Sequence, residues 1–220
     1  MRNSPLQNPE TILIHDLEPE AFSRLDSSKT TLAWPALPAV AWCRGCFGCW
    51  VKTPGRCLMR DRTGEVAAKM AAGGRLVVIS RLVFGGLSPA VKALFDRSIG
   101  YILPFFRLVG NRMRHERRYE RTLAASYIFY GPSEEDERDL AKRMAQANVQ
   151  NLDGRFEEAC FFPSAEALLR ALSKMPEPFG PGAQLGASER AGRPGPPPDQ
   201  AAPERGREGA GGPLESPGLD

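Results

Sequence analysis

Four of the chain's five cysteines fall within residues 43–57, CRGCFGCWVKTPGRC, spaced C-x2-C-x2-C-x7-C. Two-residue spacers let successive sulfurs turn toward one point. Gly45 and Gly48 keep the loop free of side-chain bulk, and Thr53-Pro54-Gly55 is a turn signal that can bring Cys57 back toward the first three. Cys43, Cys46, Cys49 and Cys57 are therefore candidate ligands of one metal centre. The compact triplet suits an iron–sulfur cluster, foremost [4Fe–4S], better than zinc, whose structural sites pair separated knuckles. A redox-active thiol pair and ordinary buried cysteines in a tight loop are the other readings.

Such a loop needs a scaffold, and the rest of the chain supplies an alternating pattern. Thr11–Ile14 reads as a buried strand, followed by a short helix over 18–25. Residues 30–42 are an extended segment interrupted by Pro35 and Pro38. Thr63 can cap a helix that Gly73-Gly74 stops. Arg75–Phe84 is the strongest strand signal, and Ser88-Pro89 opens a helix reaching about Ile99. Residues 101–121 read as long, basic and irregular. A strand over 122–130, a helix capped by Ser133, a strand over 155–162 and a helix over 164–175 complete the series.

This alternation predicts an α/β fold, a doubly wound five-stranded parallel sheet covered on both faces. Ligands of such sheets bind beyond the carboxyl ends of the strands. The loops at 80–88 and 130–133 should lie on that rim, with the cysteine loop beside it. Residues 1–175 form the expected domain. Residues 176–220 are nearly half Gly and Pro with few large apolar side chains, which predicts a disordered tail.

Composition narrows the class. With 220 residues, 42% of them hydrophobic, the chain can build a sizeable core. No apolar run is long enough to span a bilayer, and the first residues lack the layout of a secretory signal. Clustered rather than scattered cysteines point away from a secreted disulfide framework and toward a cytoplasmic setting. A net charge of +3 is too mild to indicate nucleic acid.

The cysteine loop, the acid at Asp61, the following strand and FGGLSPAVKALFDRSIGYILPFF at 84–106 together resemble the flavodoxin-like NAD(P)H-dependent FMN reductases. The nearest branch is the iron–sulfur flavoproteins, and the similarity spans roughly residues 11–175. The resemblance implies an FMN-dependent oxidoreductase or electron-transfer flavoprotein, with NAD(P)H as donor. A redox partner protein or a small molecule would be the acceptor, and the chain would form a homodimer or higher homo-oligomer. Flavin would be gripped by three rim loops. The second corresponds to Ser80, Arg81, Leu82, Val83, Phe84 and Gly85, where Phe84 would stack on or edge the ring. The third corresponds to Tyr130, Gly131 and Pro132.

The first loop departs from the pattern. In place of a Ser- and Gly-rich phosphate loop the chain has HDLEPEA at 15–21, whose carboxylates would repel a phosphate. The flavin is then anchored elsewhere, weakly held, or absent. Arg107, Arg112, Arg114, His115, Arg117, Arg118 and Arg121 form a dense basic stretch, either an anion site for the flavin phosphate or a pyridine nucleotide, or a solvated arm or subunit contact. Asp96-Arg97 reads as a structural ion pair, His15 as a packing residue, and Cys160 as a small buried hydrophobe. Trp42 and Trp50 read as the apolar base of the cysteine loop. An iron–sulfur electron carrier and a cofactor-free binding module are the alternative functions.

Overall fold

The computed structural model describes residues 11–23, 31–36, 40–59, 61, 63–175 and 179. Five parallel strands form the main sheet: β1 (Thr11–His15), β2 (Thr31–Pro35), β3 (Arg75–Val83), β7 (Ala124–Tyr130) and β8 (Arg155–Phe162). Their spatial order is β2-β1-β3-β7-β8, the flavodoxin-like order with its switch point between β1 and β3. Pro35 is accommodated because β2 is an edge strand, where one missing N–H breaks no ladder. A short β4 (Gly86–Leu87) pairs antiparallel with the end of β3.

Alternation along the strands sorts the core into two layers. Ile12, Ile14, Leu76 and Val78 face one side, packed with residues from α3 (Val66–Ala72), α4 (Pro89–Arg97) and α5 (Glu135–Asn151). Leu13, Val77, Ile79 and Ile128 face the other, covered by α6 (Ala165–Leu172) and the short α1 (Pro19–Phe22). Strands buried on both faces read as unbroken apolar runs, as TILI and LVVI do. Of the 176–220 segment expected as a disordered tail, only Phe179 is described. It is buried in the second layer, and its carbonyl accepts a hydrogen bond from Thr11 Oγ1 at 3.0 Å.

Two expectations change. Residues 101–121 are not irregular: β5 (Ile102–Val109) and β6 (Arg112–Arg117) form an antiparallel hairpin. Its many arginines hid the strand pattern, and Gly110 at φ +60° supplies the turn. Residues 80–85 are not simply a loop either. Arg81–Val83 continue β3, and Phe84-Gly85 is a two-residue hairpin turn with both φ positive. Gly85 is required there, since a Cβ would meet the Leu140 side chain at 2.6 Å.

Candidate functional site

The carboxyl ends of the strands enclose a cleft of about 350 Å³. Asp16 and Glu18 follow β1, Arg81 comes from β3, and Tyr130 ends β7. Val40, Trp42 and the first turns of α4 form its apolar wall. Ser88 starts that helix by accepting the Val91 N–H, and Pro89 takes the first helical position.

Asp16 ties the rim together. Both its carboxylate oxygens accept the Arg81 N–H at 3.1 Å, and Oδ1 accepts the Tyr130 hydroxyl at 3.1 Å. Burial raises the Tyr130 pKa, and the Asp16 charge adds to the rise, so the phenol stays a donor. Changing Tyr130 to Phe removes one hydrogen bond to a charged group. Urea denaturation should record a loss of about 1.5–3 kcal/mol.

Of the residues expected to touch flavin, Arg81 and Tyr130 line this cleft. Ser80 is buried; its hydroxyl donates to the Arg81 carbonyl and accepts the Ser88 N–H, fastening the base of the hairpin. Leu82 belongs to the core and Val83 is half-buried. Gly131 is buried at φ +117° beside the Arg81 side chain. Phe84 is 89% exposed at φ +48° and is not part of the cleft wall. A bulky residue in that conformation is strained, which marks the hairpin tip as unusual.

The second cavity, of about 260 Å³, is lined by Cys43, Cys46, Cys49 and Cys57 together with Leu58, Asp96 and Arg97. The Thr53–Arg56 turn closes as the sequence predicts, with the Arg56 N–H on the Thr53 carbonyl at 2.8 Å. Gly55 and Cys57 are then fixed by the Cys49 and Gly64 carbonyls. Gly48 opens α2 (Gly48–Val51), and a Cβ on it would overlap Leu58 at 2.1 Å. Cys43 and Cys46 are exposed, Cys57 is half-buried and Cys49 is buried; all are free thiols. Burial pushes the Cys49 thiol up, and the neighbouring Cys57, Cys43 and Cys46 add to it. The Gly45 N–H points at Cys43 Sγ, at 3.5 Å. Among the described residues no three Cys, His, Asp or Glu side chains stand where they could hold a metal ion. The four thiols thus share one cavity without forming a closed single-ion site.

Arg97 buckles this loop. Its side chain is wholly buried and grips Asp61 with two bonds, at 2.5 and 2.8 Å. It also donates to the Ala41 and Met59 carbonyls at 3.4 Å, which lie on either side of the cysteine run. The guanidinium holds the Asp61 carboxyl well below the usual carboxylate range. The partner expected for Arg97 was Asp96, but Asp96 pairs with Lys92 one helical turn back. Adjacent helix positions point about 100° apart, so neighbours in sequence are poor partners.

The arginine-rich stretch lies away from the cleft. Arg107 and Arg117 pair with Asp153, and Arg114 bonds Gln150. Arg118 and Arg121 donate to the carbonyls of Gly100 and Ala72. Asp153 and Ala72 precede β8 and β3, so these bonds sit at the amino ends of the strands, opposite the rim. The stretch docks a hairpin and does not supply cations to the cleft. Trp42 also moves: it is 65% exposed and lines the cleft, whereas Trp50 does underlie the cysteine loop, donating to the Ile99 carbonyl at 3.1 Å. His15 is buried and stacked on Phe22 at 4.1 Å, the packing role expected of it. Cys160 is half-buried rather than buried, with Sγ 3.5 Å from a Glu158 oxygen.

Neither a known protein family nor a curated protein matches the sequence. Similar solved structures include the general stress protein 14 of Treponema denticola in complex with FMN, at 11% identity and a TM-score of 0.44, over 76% of this chain and 92% of that one. An FMN-dependent NADH-azoreductase of Bacillus anthracis, also with FMN, has 14% identity and a TM-score of 0.43, over 76% and 95%. A putative quinone reductase of Klebsiella pneumoniae has 12% identity and a TM-score of 0.48, over 76% and 83%. These are likenesses of chain path; the fold assignment rests on the strand order itself.

A flavin can be tested against this site by its two ends. The ring end fits: Trp42, Val40 and Ala90 offer an apolar wall, and the Arg81 guanidinium offers donors. The phosphate end does not fit the loop after β1, which presents Glu18 to the cleft and Glu20 in the first turn of α1.

Proposed function

We propose that this chain is a flavin-dependent oxidoreductase of the NAD(P)H-dependent FMN reductase type, with its flavin ring in the rim cleft. The observation that carries this reading is the placing of two cavities along one helix. Ala93 of α4 lines the cleft, while Asp96 and Arg97 line the cysteine cavity. At a rise of ~1.5 Å per residue those positions are about 5 Å apart along the axis. Trp42 and Cys43 repeat the arrangement on the facing strand of chain. A bound flavin supplies hydride and electron transfer, and the protein sets access and potential. A [4Fe–4S] cluster would put a second redox centre beside it only if Cys43, Cys46, Cys49 and Cys57 drew closer together than they stand here. NAD(P)H is the proposed donor, and a redox protein or a small molecule the acceptor.

Exposed Phe105, Phe106, Leu108 and Met113 on the β5–β6 hairpin support a homo-oligomer. Among the described residues no helix is long and apolar enough to cross a membrane. A cytoplasmic location rests on the clustered free cysteines.

Protein purified without oxygen should show a flavin absorption spectrum, with one flavin per chain after reconstitution. Iron and acid-labile sulfide assays decide the cluster, and full titration of all five thiols with no iron sinks it. The acidic first loop favours a second reading, a cofactor-free binding module. Failure to take up any flavin, together with free thiols, would establish that module instead.

A further inference from the structure

We propose that the rim cleft recognises a flavin by its ring system and not by its phosphate, so that riboflavin and FMN bind about equally well. The inference rests on the flavin reading above and deepens it.

The charge around the cleft carries it. Asp16 and Glu18 line the side formed by β1, and Arg81 is the one cation among the described lining residues. The buried Asp16 carboxylate already takes up the Arg81 backbone N–H and the Tyr130 hydroxyl, so the donor left for a phosphate is the Arg81 guanidinium, set among two carboxylates. The start of α1 is no refuge for an anion. It has only four residues, with Glu18 at its cap and Glu20 in its first turn, both exposed. The chain's own carboxylates thus occupy the place where a helix end would otherwise favour negative charge. Five of the six arginines of 107–121 are held at the amino ends of the strands by Asp153, Gln150 and backbone carbonyls, and none of the six lines the cleft. What remains for the ring is the apolar wall of Val40, Ala90 and exposed Trp42.

The test is titration of the full-length, flavin-free protein with riboflavin and with FMN, followed by quenching of flavin fluorescence at low and at physiological salt. The two dissociation constants should agree within about threefold, against the tenfold or more that one charge-assisted phosphate contact provides. Any deficit of FMN should shrink as salt rises, because added ions screen exposed carboxylates. A Glu18→Gln, Glu20→Gln variant should tighten FMN more than it tightens riboflavin. FMN binding tenfold or more tighter than riboflavin to the parent protein overturns the inference and leaves the flavin reading standing. Equal tightening of both ligands in the variant also overturns it. Binding of neither ligand overturns both the inference and the flavin reading.

Discussion

Replacing Asp61 by Asn should cost about 3–5 kcal/mol, because it strands a guanidinium that is wholly buried. For a chain of this size that is a fall of roughly 10 °C in melting temperature. The loss should concentrate in the cysteine loop, since Arg97 holds the Ala41 and Met59 carbonyls at its two ends. Alkylation of Cys49, buried in the parent, should accelerate in the variant. Arg97→Met alone should also destabilise. The double variant should recover part of the loss, since neither charge is then left without its partner. A pair of single variants whose effects simply add would refute a direct buckle.

Acid should probe the same pair. The folded chain depresses the Asp61 pKa, so its contribution is fully present above the unfolded value of about 3.9. Stability is then lost as pH falls from there toward the folded value. The parent should therefore lose stability more steeply below about pH 4 than the Asp61→Asn variant, measured by urea denaturation from neutral pH downward.

Truncation after Met175 gives the second large effect. Composition alone predicts no loss, because residues 176–220 are mostly Gly, Pro and polar. Yet Phe179 is 2% exposed within the layer that holds Leu13, Val77, Ile128 and Leu172. Removing a buried phenylalanine costs about 3–5 kcal/mol, and the Thr11 hydroxyl also loses its acceptor. A chain ending at Met175 should melt roughly 10 °C below the parent, and Phe179→Ala in the full chain should reproduce most of the drop. An unchanged melting temperature for both would show that the Phe179 contact contributes nothing.

The alternation of TILI, LVVI and TLAASYIFY with capped helices was enough to determine a doubly wound parallel sheet. Period and caps are local properties, and parallel strands buried on both faces leave an unmistakable apolar run. The crowding of four cysteines into residues 43–57 was equally local, although the buckle of Arg97 on Asp61 that fastens their loop was not. The acidity of the loop after β1 could also be read directly, and with it the poor fit to a phosphate.

Tertiary structure alone decided where distant charges meet. Helix spacing in the string disfavours Asp96 and offers it Lys92, but only the folded loop brings Asp61 to Arg97. The arginines of 107–121 looked like a free cationic arm until Asp153, far along the chain, engaged Arg107 and Arg117 at the wrong edge for the cleft. Trp42 could have packed under the cysteines as Trp50 does, and the path of residues 40–43 along α4 put it on the cleft instead. Phe179 stands in a segment whose average composition forbids a core, but a single aromatic needs only one gap between α6 and the sheet. Burial and pairing at long range depend on which surfaces the fold brings together, and that information is absent from any window of neighbouring residues.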